Sequence, residues 1–99
     1  MKTIFVSGTA GSGKSLLTSK LNDYYTRNGA FTAVLNLDPG VEHLPYTCDV
    51  DVRDYVDIVS IMKQYDLGPN GALVMANDLI ASKIDDIQNE VNRVNPDYL

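Results

Sequence analysis

A glycine-rich segment near the start of the chain has residue types and spacing that suit phosphate binding. Residues 8–15 read GTAGSGKS and match the pattern G-x-x-x-x-G-K-[ST] in full. In such a loop backbone N–H groups turn toward a phosphate, and glycine allows a close approach. Lys14 can reach the β- and γ-phosphates, and the Ser15 hydroxyl can ligate Mg²⁺. We therefore expect a purine nucleoside triphosphate site, lined by Gly8, Gly11, Ser12, Gly13, Lys14, Ser15 and Leu16.

The elements around this loop are those that must hold it in place. An apolar run within residues 2–7 predicts a strand buried on both faces, as in parallel sheets. A helix is expected from residues 13–14 to Gly29, which suits a helix end. A second apolar strand is expected over residues 30–37. Strand, helix and strand form a βαβ unit with a right-handed crossover. The alternative interpretation of residues 8–15, a flexible glycine turn, would not require lysine and serine at positions 14 and 15.

Acidic residues cluster after the second predicted strand. They are Asp38, Glu42, Asp49, Asp51, Asp54 and Asp57. Asp38 follows the strand directly, where parallel sheets place their ligand crevices. It can orient an attacking water or hold a Mg²⁺-bound water, although an Asp-Pro-Gly turn is the alternative. Asp51 and Asp54 favour the start of a helix over residues 52–64, or else belong to a switch near the phosphates.

The second half of the chain is predicted to be largely helical. Residues 68–71 read GPNG, which by itself indicates an ordinary tight turn. A helical stretch is expected over residues 72–95, with an interruption near residues 77–78, and residues 97–99 begin another strand. An apolar stripe along this stretch is interpreted as packing on the sheet, in preference to a free coiled coil. Its members are Leu73, Ile80, Ile84, Ile87, Val91 and Val94.

The composition narrows the class of protein. The chain has 99 residues and a formal charge of −5, which fits a single globular domain and argues against non-specific nucleic-acid binding. Its apolar runs are much shorter than the roughly 20 residues that span a bilayer, so no membrane partner is expected. Because Cys48 is the single cysteine, an internal disulfide is impossible, and we expect a reducing, cytoplasmic location.

Taken in order, these motifs resemble one family, the GPN-loop GTPases. The matching segments are GTAGSGKS at 8–15, NLDPGVEHLPY at 36–46, DVDVRD at 49–54 and GPNG at 68–71. The resemblance, to an archaeal-like member, implies an α/β fold with a P-loop NTPase-type parallel sheet and flanking helices. The sheet would be incomplete, with two strands and the start of a third. Residues 1–99 would then be the N-terminal part of one GTPase domain, with a switch-like segment at 38–54.

The resemblance also implies roles for particular residues. Lys14, Asp38 and Asn70 would be catalytic, Ser15 and Asp38 would hold Mg²⁺, and the ligand would be GTP or GDP. The loop formed by Gly68, Pro69 and Asn70 would reach the nucleotide of the partner in a homodimer. Family members serve the assembly of larger complexes, such as RNA polymerase. The preference for guanine comes from the family alone, because its guanine-reading motif does not occur in these residues.

Two other interpretations of the same phosphate loop are open. A nucleotide or small-molecule kinase uses the same loop but needs an arginine-rich lid, and this chain has only Arg27, Arg53 and Arg93. A catalytically inactive chain that binds phosphate or self-associates is the non-enzymatic alternative. Turnover of GTP and ATP distinguishes the three.

Overall fold

The computed structural model describes residues 1–9 and 11–99, so Ala10 of the phosphate loop lies outside the described residues. In chain order the helices are α1 (Lys14–Arg27), α2 (Ile58–Tyr65), α3 (Pro69–Ser82) and α4 (Ile84–Val94). Two short strands, β1 (Leu35–Asn36) and β2 (Val50–Asp51), lie between α1 and α2. A single turn of 3₁₀ helix, Val52–Asp54, follows β2. The α/β class is confirmed.

Among the described residues, the strand pairing is parallel. Strand β1 pairs with β2 in the register Leu35 to Val50 and Asn36 to Asp51. Tyr98 forms isolated parallel bridges with both Lys2 and Thr32. The chain's last residues therefore lie between the N-terminal segment and the segment that leads into β1. This arrangement agrees with the prediction that residues 97–99 begin a strand, although the pairing there is limited to bridges.

The N-terminal segment pairs over a shorter length than expected. The Lys2 amide donates to the Asp97 carbonyl and the Ile4 amide to the Leu99 carbonyl, both at 2.8 Å. Burial on both faces was a wrong prediction, because Phe5 is 81% exposed and Ile4 40%. The sequence pattern reflects a strand's preference for an apolar environment, but burial also requires neighbouring segments on each side and over each face.

Helix α1 ends as predicted. Asn28 is its C-cap, and Gly29 follows with φ of 85°. The second half of the helix contacts the neighbouring segments. The Tyr25 ring stacks on Tyr98 with centroids 4.3 Å apart, and the Thr32 hydroxyl donates to the Asn22 side-chain oxygen at 2.6 Å. The Thr32 and Thr26 hydroxyls also form a hydrogen bond, at 2.9 Å. These contacts place the second half of α1 against the segment that leads into β1.

The helix expected over residues 52–64 is interrupted. The 3₁₀ turn comes first, and α2 begins only at Ile58 because the Asp57 side chain caps it. The Asp57 carboxylate accepts from the Val59 amide at 2.9 Å and from the Ser60 hydroxyl at 3.0 Å. A capping carboxylate satisfies amides that have no intrahelical partner, so it favours a helix start at this point.

Two further boundaries differ from the sequence prediction. Residues 68–71 are not an isolated tight turn, because Gly68 is the N-cap of α3 and Pro69 its first residue. Proline is favoured at this position because its fixed φ suits a helix and because an N–H at the first helical residue would have no intrahelical acceptor. The interruption expected near residues 77–78 lies instead at Lys83, which separates α3 from α4.

The hydrophobic core lies among α2, α3, α4 and the segment from β2 to Val56. Its buried residues are Val50, Val52, Val56, Ile61, Ala72, Ala76, Ile80, Ile87 and Val91. Three members of the predicted stripe are therefore in the core, while Ile84 is 51% exposed. Packing of the stripe within the fold is confirmed for those three positions. Among the described residues, none of the helices combines the length and apolar character needed to cross a membrane.

Candidate functional site

The phosphate loop requires glycine for two different reasons. Gly11 and Gly13 have φ of 77° and 88°, and an added Cβ would meet nothing within 4 Å at either position. Glycine is therefore favoured at both positions by the left-handed backbone conformation and not by steric crowding within the chain. At Gly8 a Cβ would lie 2.6 Å from the Ser12 hydroxyl oxygen, so a side chain there would require the Ser12 side chain to move.

The first turn of α1 supplies free backbone donors. Its first intrahelical hydrogen bond runs from the Leu17 amide to the Gly13 carbonyl, at 2.9 Å. The amides of Lys14, Ser15 and Leu16 therefore precede the intrahelical pattern. Gly13 caps the helix without a side chain, and the first turn contains no acidic residue. The positive end of the helix dipole remains available for an anion.

A cleft of about 840 Å³ brings the phosphate loop and the end of β1 together. Gly8, Lys14 and Ser15 line one part of it, and Asn36 and Asp38 line another. Of the other predicted ligands, Gly11, Ser12, Gly13 and Leu16 are exposed and lie outside this lining. The structure therefore groups the lysine, the hydroxyl and the carboxylate that phosphate chemistry needs.

The structure does not bring the GPN loop into the same cleft. Gly68, Pro69 and Asn70 are exposed at the start of α3 and are not among the residues that line it. Two residues of α3, Leu73 and Asn77, do line the cleft. An added Cβ on Gly40 would lie 2.9 Å from the Leu73 Cδ2 atom, so the loop after β1 sits directly on α3.

Asp38 has both features that the sequence suggested as alternatives. Its Oδ1 atom accepts from the Gly40 amide at 2.9 Å, which is the hydrogen bond of an Asp-Pro-Gly turn. Its side chain also lines the cleft and is exposed to solvent. The hydrogen bond from the Gly40 amide orients the Asp38 carboxylate at the end of β1. The same side chain can therefore stabilise the turn and contact a ligand in the cleft.

Sequence reasoning missed Asn36. It is 4% exposed, and its side-chain amide makes three hydrogen bonds. The Nδ2 atom donates to the Asp38 carbonyl at 3.1 Å and to Asp51 Oδ1 at 3.0 Å, and the Oδ1 atom accepts from the Asp38 amide at 3.0 Å. The one available signal was a polar residue inside an otherwise apolar strand, immediately before Asp38.

Asp51 and Arg53 connect the segment after β2 to the loop after β1. Asp51 Oδ1 accepts from the Arg53 amide at 2.9 Å, and its Oδ2 pairs with the guanidinium at 2.6 Å. Arg53 Nη1 donates to the carbonyls of Val41 and Glu42 at 3.1 and 3.2 Å. Burial of the Asp51 carboxyl opposes ionisation, but the hydrogen bonds from Arg53 and Asn36 outweigh it and lower the pKa. The predicted N-cap role of Asp51 is confirmed, for the 3₁₀ turn.

This lowered pKa predicts a loss of stability in acid. The unfolded chain takes up the Asp51 proton first, so the stabilisation is complete above about pH 4 and falls as the pH drops through the folded pKa. We expect the difference in free energy of unfolding between wild type and Asp51→Asn to be constant from pH 8 to 5 and to shrink below pH 4. Urea unfolding at each pH measures it, and a difference independent of pH would contradict the expectation.

The donor set suits magnesium, the ion that such a phosphate site employs. Within residues 1–9 and 11–99, no group of three or more His, Cys, Asp or Glu side chains is placed to hold a metal. Mg²⁺ dehydrates reluctantly and usually takes one or two protein oxygens, with water and substrate phosphate completing its shell. The Ser15 hydroxyl and the Asp38 carboxylate line the same cleft and fit that requirement.

Replacement of Gly13 with alanine is expected to weaken nucleotide binding. An L-residue at φ of 88° is strained by about 1–2 kcal/mol, so the loop and the first amides of α1 should shift. Isothermal titration with GTP measures the loss. Gly29→Ala is the matched control, because Gly29 has φ of 85° and equally open surroundings but lies beyond the opposite end of α1 from the phosphate loop. Equal affinity in the two variants would contradict the expectation, whereas both should lose thermal stability.

Comparison with known proteins identifies the family. A family model described as "Conserved hypothetical ATP binding protein" matches residues 6–99. GPN-loop GTPase 1 of Schizosaccharomyces pombe is 40% identical over 84 residues, which are 85% of this chain and 23% of that protein. A GPN-loop GTPase of Pyrococcus abyssi is 42% identical over 94 residues, covering 95% of this chain and 37% of that protein.

A solved structure agrees with these matches. The crystal structure of the Pyrococcus abyssi GTPase in its apo form superimposes with a TM-score of 0.82 at 40% identity, covering 99% of this chain and 39% of that one. The chain thus spans between about a fifth and two fifths of the length of the relatives it matches. Because the match extends over nearly all of its residues, the chain belongs to the "Conserved hypothetical ATP binding protein" family, and it is similar to the N-terminal segment of that family's GPN-loop GTPases.

Proposed function

We propose that the protein carrying this sequence binds GTP with Mg²⁺ and hydrolyses it. The observation that carries the proposal is the cleft in which Lys14, Ser15 and Asp38 lie together at the N-terminus of α1 and the end of β1. The relatives are called GTPases, whereas the family description refers to ATP, so the choice of base rests on the relatives.

Each residue of the cleft has a role that follows from its chemistry. Lys14 and the free amides of α1 hold the β- and γ-phosphates, because a fixed positive charge and aligned N–H groups stabilise an anion. Ser15 and Asp38 hold the magnesium ion, which neutralises charge on the phosphates when bound. Asp38 also orients the attacking water. Hydrolysis of this kind depends mainly on positioning and charge stabilisation.

We further propose that Asn70 acts on the nucleotide of a second subunit. Asn70 is exposed in the first turn of α3 and does not line its own chain's cleft, which supports a role at the nucleotide of another copy. Its amide donates and accepts hydrogen bonds without adding charge, which suits a group that orders water beside phosphate. Pro69 at the first helical position stiffens the loop that presents it.

The assembly and location follow from the same proposal. A homodimer would contain two composite sites, each with a phosphate loop from one subunit and an Asn70 from its partner. The clients would be larger complexes under assembly, of the RNA polymerase type, and the location would be the cytoplasm. Neither a membrane nor a nucleic acid is a proposed partner, since the formal charge is −5.

Turnover of GTP and ATP by wild type, Lys14→Ala and Asn70→Ala tests the proposal. We expect wild type to hydrolyse GTP faster than ATP. Asn70→Ala removes one hydrogen-bond donor from the reacting phosphates, so this variant should have a kcat lower by roughly a hundredfold. Asn89→Ala, an exposed asparagine on α4, is the matched control and should retain wild-type turnover. Preferential transfer of phosphate to a nucleotide acceptor would instead indicate a kinase.

Mixing the Lys14→Ala and Asn70→Ala variants, each of which is expected to have impaired turnover, tests action across the dimer. A dimer of one Lys14→Ala and one Asn70→Ala subunit has one intact site, in the subunit that keeps Lys14. Random exchange should then restore roughly a quarter of wild-type turnover. If mixing restores no activity while exchange of subunits is verified by labelled chains, the proposed role of Asn70 across the dimer is wrong.

A further inference from the structure

The backbone of Asp38 is held by the side chain of one buried residue. Asn36 accepts from the Asp38 amide at 3.0 Å and donates to the Asp38 carbonyl at 3.1 Å. The backbone N–H and C=O of Asp38 are therefore both bound by the side-chain amide of Asn36, a residue that is 4% exposed. Such a two-sided hydrogen bond restricts the direction in which the Asp38 side chain leaves the strand.

The amide of Asn36 is in turn oriented by Asp51. The Nδ2 atom of Asn36 also donates to Asp51 Oδ1 at 3.0 Å, which fixes the orientation of the amide toward the Asp38 backbone. Asp51 is itself held by the Arg53 guanidinium, with Nε at 2.9 Å and Nη2 at 2.6 Å from its Oδ2 atom. The same guanidinium binds the carbonyls of Val41 and Glu42. Both ends of the loop from Asp38 to Glu42 are thus tied to one carboxylate.

We infer that Asn36 is a positioning residue that sets the orientation of Asp38 in the cleft, and that Asp51 anchors it. The inference rests on the proposed function of Asp38 and extends it to two residues that would act through their hydrogen bonds within the chain. Asn36 lines the cleft, but the three hydrogen bonds of its side chain go to Asp38 and Asp51. A misplacement of about 1 Å can lower a rate by about a hundredfold, so loss of this amide should affect the chemical step.

A double-mutant cycle in the protein carrying this sequence tests the inference. Asn36→Ala should lower kcat for GTP by roughly tenfold to a hundredfold and leave the affinity for GTP within about twofold, because the phosphate loop is unchanged. If Asn36 acts through Asp38, the double variant Asn36→Ala with Asp38→Ala should turn over as slowly as Asp38→Ala alone. A purely structural role would instead lower kcat in both backgrounds and weaken GTP binding.

Asn28→Ala is the matched control. The Asn28 amide also makes a short hydrogen bond to the backbone, at 2.7 Å to the Tyr24 carbonyl, but it lies at the far end of α1. Its loss should leave kcat unchanged. Wild-type kcat in Asn36→Ala, or a full additional loss in the double variant, overturns the inference.

Asn36→Leu keeps the test decisive if the alanine variant fails to fold. Leucine has the same branched shape as asparagine and fills the buried position, but it makes no hydrogen bond to Asp38 or Asp51. We expect kcat for GTP to fall by roughly tenfold to a hundredfold, with the affinity for GTP within about twofold of wild type. Wild-type kcat in a folded Asn36→Leu variant overturns the inference.

The same measurements separate this inference from the proposed function. If Asp38→Ala retains wild-type turnover, the proposed role of Asp38 fails, and the inference fails with it. If Asp38→Ala is inactive while Asn36→Ala is fully active, the proposed function stands and only the role of Asn36 is wrong.

Discussion

Replacing Lys14 with alanine is expected to weaken GTP binding by roughly tenfold to a hundredfold, the loss that corresponds to one charge-assisted hydrogen bond. Lys14 lines the cleft beside Gly8 and Ser15, and its half-buried side chain starts at the first residue of α1. The helix dipole and the remaining amides persist in the variant, so binding should be reduced and not abolished. Titration of a fluorescent GTP analogue at fixed salt measures the change.

Lys20→Ala is the matched control for this experiment. Lys20 lies on the same helix and is exposed, and its loss changes the net charge of the chain by the same amount. It is not among the residues that line the cleft. A general electrostatic effect would weaken binding equally in both variants, which would contradict a specific role for Lys14. We expect the affinity of Lys20→Ala to equal that of wild type.

Replacing Ile87 with alanine is expected to lower the free energy of unfolding by about 3 kcal/mol. Ile87 is 4% exposed within the core formed by α2, α3 and α4, and its truncation removes buried methyl groups and leaves a cavity. For a domain of this size the melting temperature should fall by roughly 10–20 °C. Urea and thermal unfolding, followed by circular dichroism, measure both quantities.

Ile84→Ala provides the control for the core. Ile84 lies on the same helix, three residues earlier, and is 51% exposed. The substitution removes the same atoms, but fewer of them are taken out of water on folding, so we expect a loss of under about 1 kcal/mol. Similar losses at the two positions would show that α4 does not pack as described.

Much of the candidate site could be predicted because it depends on short-range geometry. The phosphate loop needs left-handed backbone at Gly11 and Gly13, and only glycine adopts it freely. The end of α1 at Asn28 and Gly29 follows from the same local rule. Pro69 predicts an interruption of helical structure, and the structure has the boundary between α2 and α3 there, although α3 already begins at Pro69 itself. These features require only neighbouring residues, so the sequence contains them.

The network around Asp38 could not be predicted in the same way. Asn36 and Asp51 are 15 residues apart, and their hydrogen bond forms only because β1 and β2 pair in a particular register. Arg53 reaches the carbonyls of Val41 and Glu42 across a turn-rich segment whose path is not encoded by any short pattern. Long-range polar contacts of this kind depend on which strands become neighbours.

Burial shows the same division. Ile84 and Ile87 belong to one apolar stripe in the sequence, yet only Ile87 enters the core, because α3 and β2 pack against one side of α4. Phe5 has the sequence environment of a buried strand but is exposed where the sheet gives it few neighbours. By itself, the sequence determined the left-handed positions of the glycine-rich loop and the ends of α1, since both follow from local backbone conformation. Only the tertiary structure decided which side chains are buried and that Asn36 holds Asp38, because both depend on packing between distant segments.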